Sequence, residues 1–185
     1  MPTPVPLSHP LQRIRKISRL MLLACWVMML LLPVLLVFYW ATTSAPGLAR
    51  QGNLLPGAIQ APLEIWQRVV AGAVTAIPLA LLLLGIWQAK CCFEQFANGD
   101  VFTAQATRQL RSFSGWVAAA AFAAILASAI TSVVLTLNNP PGLRHLSVGI
   151  GSDHVFTLFF AGLVWLMAAV IGQGQMLAEE NERFV

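Results

Sequence analysis

Hydrophobic residues fall in four long blocks separated by polar and proline- or glycine-rich stretches. Residues 20–40 contain no charge and hold twelve Leu, Val and Phe residues. About 20 apolar residues in a helix cross the ~30 Å hydrocarbon layer of a bilayer. Similar blocks occupy residues 69–88, 116–137 and 154–172, and no Asp, Glu, Lys or Arg lies inside any of the four. The pattern predicts four transmembrane helices, with Pro33 and Pro78 inside the first and second. A basic start before the first block also resembles a cleaved signal peptide, but a signal core is only about 7–15 residues long. Residues 20–40 are therefore expected to remain as an uncleaved first helix.

The punctuation defines the rest of the plan. Residues 1–19 form a basic N-terminal segment in which Arg13, Arg15, Lys16 and Arg19 cluster. Residues 41–61 are rich in Pro, Gly, Ser and Thr and read as an irregular external loop, its Leu48, Leu54, Leu55 and Ile59 resting on the membrane surface. Pro62 suits the first turn of the next helix. In the second block Gly72, Ala76 and Ala80 recur every fourth residue, a spacing that lets another helix approach closely. Ala120, Ala124 and Ser128 do the same in the third block, the least greasy of the four, with eight alanines and several hydroxyls. Residues 138–153 are full of turn formers and read as the second external loop. Residues 20–172 then make one membrane domain, and residues 173–185 an acidic tail with Glu179, Glu180 and Glu182.

The segment between the second and third blocks, residues 89–115, is the most distinctive. Helical periodicity runs on to Asn98-Gly99, a standard stop. After a turn, Thr103 can cap a new helix, in which Phe102, Ala106, Leu110 and Phe113 share one side while Arg108 and Arg111 lie elsewhere. This helix is too short to span, and a bend near Gly115 would lead it into the third block. The expected fold class is an all-α integral membrane four-helix bundle with a cytoplasmic amphipathic connector helix.

Charge orients this plan. With four spans both termini share one side, and the N-terminal segment, connector and tail hold eight of the eleven Lys and Arg residues. The positive-inside rule makes that side cytoplasmic. Trp40, Trp66, Trp87 and Trp116 fall at span boundaries with Tyr39, as an aromatic belt requires. Hydrophobic residues make up 58% of the chain and charged ones 10%, against roughly 25% charged in soluble domains. The net charge of +4 does not indicate direct nucleic-acid binding, because the basic residues flank spans and form no single stripe. Cys25, Cys91 and Cys92 suit reduced thiols better than a disulfide framework.

No pattern of catalysis, metal binding or cofactor binding emerges. The spans lack the ionisable residue that usually marks a coupled transporter, and paired intramembrane histidines for haem are absent. Asp153 and His154, with His145 nearby, are more simply a helix cap and an interfacial histidine than an acid-base or metal site. Ser and Thr residues lack a base at recognisable spacing, and a non-enzyme is expected. The connector cations Lys90, Arg108 and Arg111 and the tail carboxylates emerge at one face, where the tail could dock on the connector; exposed pairs of this kind contribute only ~0–1 kcal/mol.

The connector element Phe96-Ala97-Asn98-Gly99-Asp100-Val101-Phe102-Thr103, followed by Leu110-Arg111 and Gly115-Trp116, resembles a bacterial four-span family catalogued as domain of unknown function 2975. The tail pattern Gly174-x-x-Leu177-x-x-Glu180 and terminal Val185 carry the same resemblance, although the ending Asn-Glu-Arg-Phe-Val departs from the family's usual Leu-Thr-Val-like one. The resemblance implies a bacterial inner membrane, four spans and a helix-turn-helix regulator as a candidate cytoplasmic partner; it implies no enzyme. The expected function is a membrane partner or regulator acting through the connector and tail, with Phe102, Thr103, Arg108 and Arg111 as contact residues beside the three tail glutamates. A small transporter or channel subunit, with Ser128, Thr131 and Ser132 along a path, and an assembly subunit of a larger complex are the alternatives. Lipid is a certain partner of such a chain, and a homo-oligomer is compatible with it.

Overall fold

The computed structural model describes residues 9–55, 57–60, 62–98, 103–140 and 142–182, with side chains from residue 15 to residue 177. All regular structure among these residues is helical: α1 His9–Thr42, α2 Ala45–Gln51, α3 Ile65–Asn98, α4 Ala104–Thr136 and α5 Ser152–Glu182. Each predicted hydrophobic block lies inside one of the four long helices, save that Leu137 falls just past the end of α4, and each of these helices is long and apolar enough to cross a membrane. A 34-residue helix such as α3 is about 51 Å long at 1.5 Å per residue. It exceeds the hydrocarbon layer, so its ends reach the polar zones. Pro33 and Pro78 sit within α1 and α3 without ending them. Bilayer helices tolerate proline where neighbouring groups serve the freed carbonyl.

The helices pack in chain order as an open row. α3 and α4 form the central pair, α1 lies on α3, and α5 lies on α4; no comparable packing joins α1 to α4 or α5 among the described residues. Burial follows the same order. Only 6% of the most apolar window of α1 and 11% of that of α5 is buried, against 22% and 28% for α3 and α4. The edge helices therefore leave most of their Leu, Val and Phe side chains facing outward, as lipid contact demands.

Two parts of the punctuation take more structure than the sequence suggested. Thr103 caps α4 as expected, its Oγ1 accepting from the Ala106 N–H at 3.2 Å. The helix it begins then continues without interruption through Gly115 into the third span. A side chain at Gly115 would meet nothing within 4 Å, so no contact there forces a bend, and the connector helix is the first three turns of α4.

The loop of residues 43–63 contains α2 and is folded onto the helix ends. Leu48 and Leu54 are buried with Trp40, Ala49, Ala71 and Leu135, and Ile59 is packed against that cluster. Only Leu55 stands out, 80% exposed. Three of the four residues expected on the membrane surface thus make a small protein core. Burial in a preformed cluster satisfies an apolar side chain as well as lipid does, and α2 provides the geometry. Trp40 belongs to this core and not to the aromatic belt, its Nε1 donating to Thr75 Oγ1 at 2.9 Å.

Residues 143–151 are not a simple turn either. They run extended beside α4, with the Ser147 N–H donating to Ser132 Oγ at 2.9 Å and the His145 N–H to Thr136 Oγ1 at 3.2 Å. Leu146, Val148 and Ile150 point outward, the period-two pattern of extended chain. Asn53 joins the two loops, its Nδ2 donating to Ser147 Oγ at 3.3 Å while Ser147 Oγ donates to the Asn53 carbonyl at 2.8 Å.

Candidate functional site

The helix register gathers the charged residues at one end of the row. Arg15 of α1 donates through Nε to the Ala97 carbonyl of α3 at 2.7 Å. Cys92 of α3 reaches the Ala106 carbonyl of α4, Sγ to O 3.8 Å. Thr107 of α4 donates through Oγ1 to Gln175 Oε1 of α5 at 3.3 Å. These contacts bring Arg15, Lys16, Arg19, Lys90, Glu94, Arg108 and Arg111 to one end of the row. Opposite helix directions and the similar lengths of the apolar blocks place them there.

Lys90 is the most constrained of these charges. Its ammonium lies 5.1 Å from the Trp26 ring centroid and 4.8 Å from that of Trp87, and 2.7 Å from Glu94 Oε1. Two aromatic faces and a carboxylate replace much of the water lost when the residue becomes 92% buried (8% exposed). The lysine thereby clamps α1 to α3. Arg111 stacks on Trp165 at 5.3 Å, while Arg108 and Arg111 both stay exposed. They border a cavity of about 440 Å³ between α4 and α5 with Thr107, Gln173 and Gln175.

Of the residues expected to bind a partner or dock the tail, Thr103, Arg108 and Arg111 lie together on the first turns of α4. Phe102 lies outside the described residues, as do the side chains of Glu179, Glu180 and Glu182. Among the packing residues, Gly72 faces Trp40, whose ring would lie 3.4 Å from an added Cβ. Ala76 borders the same α1–α3 groove, and Ala80 is exposed. The row buried on this part of α3 is Gln67, Ala71 and Thr75, one position earlier than the small-residue spacing indicated. Polar partners explain the shift: Gln67 Nε2 donates to the Val134 carbonyl at 2.9 Å, and Thr75 holds Trp40. Ala120 is buried in α4 with Ala121. Ala124 and Ser128 border a polar cavity of about 610 Å³ at the opposite end, shared with Arg50, Asp153 and His154.

Ser128, Thr131 and Ser132 do not line one passage. Ser128 borders that cavity, whereas Thr131 and Ser132 are completely buried, the latter bound to the Ser147 backbone. Asp153 lies in the first turn of α5, which begins at Ser152, and the Gly151 N–H donates to His154 Nδ1 at 3.3 Å. The histidine thus takes part in closing the helix start. All three cysteines are free thiols, and no group of three or more His, Cys, Asp or Glu side chains with metal-binding geometry occurs among the described residues.

Sequence reasoning missed Arg68 and Asn139. Arg68 Nη1 donates to the Trp40 and Thr43 carbonyls at 3.2 and 3.0 Å, closing the end of α1. Asn139 Nδ2 donates to the Ala58 and Leu143 carbonyls at 2.7 and 2.9 Å. A lone cation and a turn former give no one-dimensional signal of such long-range capping.

Four long apolar helices, a charged end and a loop-covered end define a multi-pass helical membrane protein. Residues 58–185 match the family described as "Protein of unknown function (DUF2975)", and the chain belongs to that family. The match takes in α3, α4 and α5 and begins after α1 and α2. No curated protein and no solved structure matches the chain.

Proposed function

We propose that the protein is a non-enzymatic membrane partner or regulator, acting through the basic end formed by the N-terminal part of α4 and the tail that continues from α5. The supporting observation is the gathering of Lys90, Arg108 and Arg111 with Arg15, Lys16 and Arg19 at one end, beside spans free of charged side chains. The positive-inside rule assigns this end to the cytoplasm, with both termini there and the chain in a bacterial inner membrane. A cytoplasmic protein with an acidic surface suits such an end; a helix-turn-helix regulator is the candidate the family resemblance offers. The test is recovery of partners by the detergent-solubilised protein from its own cells. Replacing Phe102, Arg108 and Arg111 should remove specific partners, and unchanged recovery of every one would overturn the reading.

The polar cavity beside Arg50, Ser128, Asp153 and His154 favours a second reading, a small-solute transporter or channel subunit. Liposome flux distinguishes the two. Solute movement abolished by Ser128→Leu would support transport, and absence of flux across a broad solute panel would count against it.

A further inference from the structure

The cavity between the first turns of α4 and the last turns of α5 has the chemistry of an oxyanion site. Arg108 and Arg111 lie one turn apart on its α4 wall. Neither has a carboxylate partner among the described residues, where Glu94 is taken by Lys90. Arg111 lies over the Trp165 ring at 5.3 Å, a contact that restrains the side chain and leaves guanidinium N–H groups to donate. Across the cavity Gln175 accepts from Thr107 at 3.3 Å through Oε1, while its Nε2 makes no hydrogen bond. The walls therefore present two cations, with no described acid among them, and the Gln175 amide behind them keeps a buried donor without a partner. Guanidinium pairs of this kind match phosphate oxygens.

The surroundings select the kind of phosphate. Ala169 and Gly172 form part of the lining, and the bare Gly172 lets Thr107 of α4 approach, 3.3 Å from where a Cβ would stand. Toward the membrane centre the same helix exposes Trp165, Leu166 and Val170. An oxyanion held by the arginines would be followed directly by an apolar track at lipid depth. We propose that this cavity binds the headgroup phosphate of an anionic phospholipid, with an acyl chain lying along α5. Basic pockets between transmembrane helices hold anionic headgroups by this combination of charge and depth. The site shares Arg108 and Arg111 with the proposed partner surface but does not rest on that function, because lipid binding is measurable with no protein partner present.

The test is native mass spectrometry of the full-length protein in detergent, titrated with phosphatidylglycerol or phosphatidylcholine of identical chains. Phosphatidylglycerol should bind preferentially. Arg108→Gln with Arg111→Gln should weaken it by about thirtyfold, about fivefold per arginine, and leave phosphatidylcholine binding unchanged. Arg144→Gln, in the loop at the other end, should alter neither. Ala169→Leu crowds the α5 wall of the cavity, keeps both arginines and should also weaken phosphatidylglycerol binding, which covers the case of a double variant that fails to fold. Equal binding of the two lipids by the unmodified protein, or undiminished phosphatidylglycerol binding in the folded variants, would overturn the proposal. Binding of inorganic phosphate at this site by a protein that binds no phosphatidylglycerol would overturn it in favour of a soluble anion.

Discussion

Replacing Leu48 by alanine tests whether residues 43–63 form a packed cap or a loop lying on lipid. Leu48 is completely buried, in contact with a cluster that joins α1, α2, α3 and α4 through Trp40, Ala49, Ala71 and Leu135. Core Leu→Ala changes cost roughly 2–5 kcal/mol, from lost transfer free energy plus the residual cavity. A cap at the end of a helix row can relax more than a central core, so about 3 kcal/mol is expected. Since 1.4 kcal/mol is a factor of ten, the population of opened cap should rise roughly a hundredfold. Arg50 reports that opening, because it lies exposed within α2 and trypsin cleaves a helix only when it unfolds locally. Under limiting protease the cleavage rate follows the open population. Leu48→Ala should therefore speed cleavage after Arg50 by about a hundredfold, while Leu55→Ala, at an 80% exposed position in the same loop, should change it less than twofold. If both variants behave alike, or if Leu48→Ala has no effect, the loop is held by lipid and the packed cap is wrong.

Three other substitutions probe separate contacts. Ser132→Ala removes the acceptor of the Ser147 N–H and should lower stability by about 1–3 kcal/mol, seen as faster hydrogen exchange across residues 143–151; unchanged exchange would show that the extended segment does not depend on α4. Thr103→Ala removes the α4 cap and should cost about 1 kcal/mol, measured as a lower midpoint in detergent thermal denaturation, with Thr103→Ser recovering most of it. Lys90→Met keeps most of the apolar stem but loses the cation that lies over both tryptophans and pairs with Glu94. A loss of about 1–2 kcal/mol is expected, Lys90→Arg should retain most of the stability, and equal midpoints for Met and Arg would show that the stem alone matters.

What could be read from the chain and what could not divide along physical lines. The four helices were legible because an uncharged run of twenty residues has one economical fate in a bilayer. Thr103 was legible because capping is a local interaction between residues three apart. The helix faces were harder. The spacing of Gly72, Ala76 and Ala80 pointed to a helix contact that Gly72 and Ala76 make with α1, but not to the buried row beside it, since Gln67 and Thr75 enter the interface by bonding to Val134 and Trp40, partners 67 and 35 positions away. The folded cap escaped notice for the same reason. Leu48 and Leu54 look like membrane-surface residues until Ala71 and Leu135 are brought beside them. For the candidate site, the arginines were visible as a pair one turn apart, but their cavity required α5, and Trp165 and Gln175 carry no motif that ties them to Arg111 and Thr107.

The open row has a bearing on how the protein is made. A closed bundle cannot complete its core until the last helix arrives and meets the first. In this chain each long helix leans on the one that precedes it, and the two edge helices never need to find one another. Packing can thus proceed in the order of synthesis, α3 onto α1, α4 onto α3 and α5 onto α4, with every intermediate already in final register. The outer flanks of α1 and α5 stay as they were on entering the bilayer, so the finished molecule retains two lipid-facing edges on which further helices could be added without disturbing those already in place.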